Sequence, residues 1–128
     1  MRVAELMQTE VRVAELDWTL DQVVQSLADG HVTALPVVDQ HGRLLGIVSN
    51  ADVLQAQAET EGDSWRETPV QDVMSMPVLT VTPEVEVRTA ARQMLYAEVH
   101  RLFVVVEGRL AGVLSQTDLV RTLAMQRA

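Results

Sequence analysis

The chain contains no cysteine, which excludes disulfides, zinc–thiolate centres and a thiol nucleophile. Positive charge is also scarce: 10 Lys and Arg against 18 Asp and Glu leave a formal net charge of -8 at pH 7. Such a surface does not suit a nucleic-acid polymer or an anionic membrane, because both are bound through basic groups that displace counterions. A local basic pocket for one small anion stays compatible with it. Long hydrophobic runs are missing too. No apolar stretch approaches a membrane span, and the opening "MRVAELMQTEVRVAEL" lacks the apolar core of a signal peptide. Catalytic signatures are equally absent: there is no nucleophile-elbow serine, no phosphate-cradling glycine loop, and no histidine in triad-like order with Ser115 and Asp118. The three histidines have no ligand spacing, so no metal site and no enzyme are expected. What is present is 48% hydrophobic and 22% charged residues in 128, the composition of one acidic, globular, cytoplasmic module.

The module is written twice. "VAELM" (Val3–Met7) returns as "VQDVM" (Val70–Met74), 67 positions on. "LPVVDQHGRLLGIVSNADVL" (Leu35–Leu54) returns as "LFVVVEGRLAGVLSQTDLV" (Leu102–Val120), with one residue lost in the turn. Length changes are cheapest in such turns. The polar, acidic stretch between the copies carries Gly62 and Pro69 and reads as a linker. Repeat 1 is therefore placed at 1–58, the linker at 59–69 and repeat 2 at 70–128.

Each copy predicts the order β-α-β-β-α. Val11–Ala14 and Val78–Val81 read as short strands. Leu20, Val23, Val24 and Leu27 in one copy, and Val87, Ala90, Ala91 and Met94 in the other, fall at i, i+3, i+4, i+7 and line one helical face. Thr19-x-x-Gln22 offers a capping box and Gly30 a stop, whereas Glu86 is a weaker start. Two β-rich runs and a closing helix after Ser49 or Ser115 complete each copy. About 55–60 residues make a marginal core alone. The copies are therefore expected to pack around a pseudo-two-fold axis in an α+β fold, leaving clefts between the repeats.

The second hairpin poses the functional question: "HRLFVVVEGRLAGVLSQTD" begins with His100-Arg101 and ends in Ser115-x-x-Asp118. With its first-copy partner, and with "VMSMPVLTVTPEVEVRTAARQM", it resembles the tandem CBS domain, or Bateman module, from about Val3 to Leu123. The resemblance implies a free-standing regulatory pair that binds an adenosine-containing ligand (AMP, ADP or ATP) in the inter-repeat clefts. It also implies a homodimer, with an enzyme or transporter as the regulated partner. Alternatives are S-adenosylmethionine, NAD or a divalent cation as ligand, or a ligand-free dimerisation and protein-interaction scaffold. The family pattern glycine–hydrophobic–any–Ser/Thr–any–any–Asp occurs at Gly46–Asp52 and at Gly112–Asp118. His100-Arg101 also resembles phosphate-gripping positions in the gamma subunit of AMP-activated protein kinase.

The chemistry fits these positions. Ser49 and Ser115 would stand at helix N-termini, where free N–H groups attract phosphate. Asp52 and Asp118 would accept hydrogen bonds from a ribose cis-diol, Ile47 and Val113 would wall the adenine, and Arg101 with His100 would grip phosphate. The plain readings stand beside these: Ser-x-x-Asp is a capping box in its own right, and His-Arg is also an ordinary solvated strand entry. Trp18, Trp65 and the methionines read as packing residues. The first helices, through Val23, Leu27, Ala91 and Met94, are expected to contribute to the dimer.

Overall fold

The computed structural model describes residues 1–76 and 79–126. It divides into two compact units, Arg12–Val78 (the first unit) and Met1–Val11 with Leu79–Ala128 (the second unit). Each is a three-stranded sheet with two helices longer than a single turn, and together they give the mixed α+β class. In the first unit, β1 (Ala14–Glu15) pairs parallel with β2 (Ala34–Val38), which pairs antiparallel with β3 (Leu44–Ser49). The long helix α2 (Leu20–Gly30) links β1 to β2, and α3 (Asn50–Ala58) follows β3. The second unit opens with a single helical turn, α1 (Val3–Leu6), and then repeats the plan with β4 (Thr80–Val81), α4 (Val87–Ala97), β5 (Arg101–Val106), β6 (Arg109–Ser115) and α5 (Gln116–Met125). The short strands begin later than the apolar runs suggest, and Val78 lies outside the described residues.

The copies match down to register. Ala14 faces Val37 as Val81 faces Val104, and the ladder slips at Val37/Val38 as at Val104/Val105. The slip lets one strand carry an extra residue and twist the hairpin more strongly. The apolar faces read from the sequence are buried: Leu20, Val23 and Leu27 in one unit, Ala90 and Met94 in the other. Val23, Leu27 and Met94 are thereby spent on their own cores, so the expectation that they line a dimer is corrected. The uncovered apolar side chains are others, among them Leu54, Leu95, Tyr96, Val120, Leu123 and Met125.

Two further local expectations change. Gly30 does not terminate α2; it is the last helical residue, and His31 takes the left-handed cap with φ 52°. His tolerates that region better than most residues. A Cβ at position 30 would run into the Arg12 side chain, which crosses there to reach Ser26 Oγ at 3.3 Å. These atoms are the far end of a flexible side chain that can shift, so neither φ nor space strictly requires glycine there. The stretch between the copies also does more than connect: Trp65 is buried in the first unit's core, with the Arg66 guanidinium over its ring at 4.6 Å and Arg66 paired to Asp21 at 2.9 Å.

Each sheet is closed by the leading segment of the other copy. Val3 is buried in the second unit, and Gln8 bridges Val113 there. Val70 is buried in the first unit, where Ser75 bridges Ile47. Glycine is required opposite these bridges. A Cβ on Gly112 would lie 2.8 Å from the Gln8 carbonyl oxygen and 2.9 Å from Met7 Sδ. On Gly46 it would lie 2.9 Å from the Ser75 carbonyl oxygen and 3.0 Å from Met74 Sδ.

Candidate functional site

The predicted polar residues gather at one end of each sheet, where the last strand turns into the last helix. Ser49 ends β3 and caps α3; Ser115 ends β6 and caps α5. Both hold extended backbone angles, as an N-cap must, and both make reciprocal capping boxes. In the first unit, Asp52 Oδ2 accepts the Ser49 backbone N–H at 2.8 Å and its hydroxyl at 3.0 Å, while the Asp52 N–H donates to Ser49 Oγ at 3.3 Å. In the second, Asp118 Oδ2 accepts the Ser115 N–H at 3.1 Å, and the Asp118 N–H donates to Ser115 Oγ at 3.1 Å. The capping reading and the ligand reading therefore share one geometry. The cap fixes each carboxylate over a helix N-terminus, where the remaining free N–H groups and the helix dipole favour an anion.

The cations belong to one junction. Arg101, half-buried, is the cross-strand partner of Ser115, and the His100 carbonyl accepts the Gln116 N–H at 2.9 Å while its side chain is exposed. In the first unit the same backbone places are held by Ala34, partner of Ser49, and Thr33, whose carbonyl accepts the Asn50 N–H at 2.9 Å. The structure thus groups His100, Arg101, Ser115 and Asp118 with Val113 on the adjoining strand, and groups Ser49 and Asp52 with Ile47. Ile47 and Val113 are half-buried, each fixed by the two-bond bridge to Ser75 or Gln8.

Sequence reasoning missed Gln8. Its Nε2 donates to Asp118 Oδ1 at 3.1 Å, a contact spanning 110 residues of chain. The signal was available: Gln8 follows the matched Met7, whereas Ser75 follows the matched Met74. Asp118 is also more enclosed than Asp52, at 7% exposure, and Thr122 Oγ1 donates to its carbonyl oxygen at 3.1 Å. Among the described residues no three His, Asp or Glu side chains converge in a way that could hold a metal ion. Nor is any helix among them long and apolar enough to cross a membrane.

A model of the CBS domain matches residues 3–59 and again 70–125. The chain belongs to the CBS-domain family. CBS pairs are regulatory modules, and the duplicated β-α-β-β-α plan is theirs. Among relatives, a CBS domain-containing protein of Dictyostelium discoideum is 31% identical over 94% of this chain and 90% of its own length. A protein of Methanocaldococcus jannaschii is 26% identical over 94% of this chain, which spans only 42% of that relative. Among solved structures, CBSX2 in complex with AMP is 29% identical, with a TM-score of 0.84 over 98% of both chains.

Proposed function

We propose that this CBS pair is a non-catalytic sensor of an adenosine-containing nucleotide of the AMP, ADP or ATP class, bound at its two strand-to-helix junctions. The observation that carries the reading is the duplicated Ser-x-x-Asp cap, matched in register, with Arg101 and His100 placed beside one copy of it. The likeness to a CBS pair that holds AMP supports the ligand class. The carboxylate of Asp52 or Asp118 takes the ribose hydroxyls. Ile47 or Val113 lies against the adenine, Ser49 or Ser115 and the helix N–H groups receive phosphate, and Arg101 with His100 add positive charge in a chain of net charge -8.

A second copy of the chain is the partner we propose, docked on the helices of the second unit. There Leu95, Tyr96 and Leu123 are 71%, 94% and 66% exposed, and Val120 and Met125 lie on the same pair of helices. That much uncovered apolar surface favours burial against another chain.

Calorimetry with AMP, ADP, ATP, NAD and S-adenosylmethionine tests the ligand. Arg101→Ala is expected to weaken nucleotide binding by about 1.5–3 kcal/mol, the range for a charged hydrogen bond, with little change in melting temperature. At a ligand concentration near 100 times Kd, wild-type protein should gain about 2.7 kcal/mol of stability. No binding of any of the five would leave the scaffold reading in its place.

A further inference from the structure

The two junctions differ in what their carboxylates already hold. Gln8 and Ser75 occupy equivalent places and make the same backbone bridge: Gln8 exchanges bonds of 2.9 and 2.9 Å with Val113, and Ser75 exchanges bonds of 2.9 and 3.2 Å with Ile47. Only the glutamine is long enough to reach the aspartate beyond. Its carboxamide fills Asp118 Oδ1 while the Ser115 N–H fills Oδ2, so both oxygens of a nearly buried carboxylate are engaged. Asp52 uses Oδ2 alone, and its Oδ1 accepts no protein hydrogen bond among the described residues. A cis-diol holds a carboxylate by donating to both oxygens, and Oδ1 is where the two differ. At Asp52 it is free of protein donors among the described residues, while both of that carboxylate's bonds fall on Oδ2. At Asp118 it already accepts an N–H that imitates a sugar hydroxyl.

We propose that Gln8 is a specificity-determining residue, a built-in competitor with a ribose for Asp118 Oδ1. The inference rests on the nucleotide reading above. The side chain can leave without undoing the fold, because Gln8 is exposed and its attachment to Val113 is made by the backbone. Displacement gives up one hydrogen bond, so the junction admits a nucleoside only when other contacts offset that loss. The cations that could do so, Arg101 and His100, stand beside Ser115 on the backbone, where the first unit has Ala34 and Thr33. The second unit's junction should therefore discriminate between AMP and uncharged adenosine more sharply than the first unit's.

The test isolates that junction by calorimetry in an Asp52→Ala background, titrating AMP and adenosine with and without Gln8→Ala. Gln8→Ala should tighten AMP roughly five-fold, the worth of one hydrogen bond, and for the same reason lower the melting temperature of the free protein by a few degrees. It should narrow the AMP-to-adenosine ratio, and Gln8→Ser should do the same. Adding Asp118→Ala should erase the gain. A site that appears only once Gln8 is removed supports the proposal equally. If Asp52→Ala protein binds AMP and Gln8→Ala leaves it unchanged or weaker, the role of Gln8 is overturned while the nucleotide reading stands. If neither wild type nor any variant binds AMP, both fall together. In wild-type protein, the Gln8 side-chain amide resonances should move as AMP fills this junction. Where Asp52→Ala protein with Gln8 in place binds AMP, an unmoved pair at saturation would also overturn the proposal.

Discussion

The two units share a backbone and differ in what is mounted on it. Strand order, register, ladder slip, N-capping serine and capping-box aspartate coincide. Yet the second unit carries Arg101 where the first has Ala34, Gln8 where the first has Ser75, and Tyr96 and Leu123 where the first has Asp29 and Gln57. What is held constant is what the fold's geometry needs: glycine under the bridging segment, small polar caps and β-branched strands. What varies is polar and apolar decoration at exposed or half-exposed positions, where substitutions cost little stability. Duplication followed by this kind of change leaves one scaffold with two unequal ends.

The comparison can be broken hardest at its shared element. Gly112→Val and Gly46→Val should each destabilise the protein by about 3 kcal/mol, because the new side chain meets bridging backbone rather than a yielding side chain. Denaturant unfolding would show the losses, and they should be similar; a tolerated substitution at one site only would show that the bridges are not equivalent. The helix faces should respond unequally. Leu123→Asp is expected to weaken self-association by about 2 kcal/mol, the scale of an interface hot spot, while Leu54→Asp on the first unit should leave it nearly intact. Sedimentation equilibrium measures both, and equal effects would remove the distinction drawn here. The smallest expected difference concerns the caps without ligand. Asp52→Ala should cost about 1 kcal/mol and Asp118→Ala somewhat more, since only Asp118 also anchors Gln8 and lies nearly buried. Thermal melts of the two single variants would show it.

Much of this was legible in the sequence, for local reasons. The apolar spacing from Leu20 to Leu27 places one face of a helix, and Ser-x-x-Asp before an amphipathic stretch specifies its own start, so α2, α3 and α5 and both junctions follow from nearby residues. The tighter second turn follows as well: Glu107 and Gly108 both hold positive φ, while the longer first turn is organised by Asp39. The Asp39 Oδ1 accepts the His41 and Arg43 N–H groups at 2.8 and 3.0 Å, and the Arg43 bond leads in holding its carboxyl below the ordinary aspartate range. The illegible parts depend on contacts between residues far apart in the chain. Composition made the stretch around Trp65 read as linker, and nothing local says that its indole closes a core. Val23 and Met94 could not be assigned to an inner or outer surface from periodicity alone, which gives a face but not what covers it. Gln8 stands out only by contrast with Ser75 in the other copy, because its partner lies at position 118.

The exchange of leading segments makes the residues between the copies more than a tether. Each sheet is closed by a piece encoded beyond that stretch, so a chain severed within 59–69 would leave two fragments, each carrying the part that completes the other. As separate molecules they would have to find one another at whatever concentration they were supplied. Joined, each closing segment is presented to its sheet at a fixed effective concentration, of the millimolar order for a short flexible connection. Docking Trp65 into a core shortens the free length of that connection and raises the value further. In this chain the connecting stretch acts as a concentration term in the folding equilibrium.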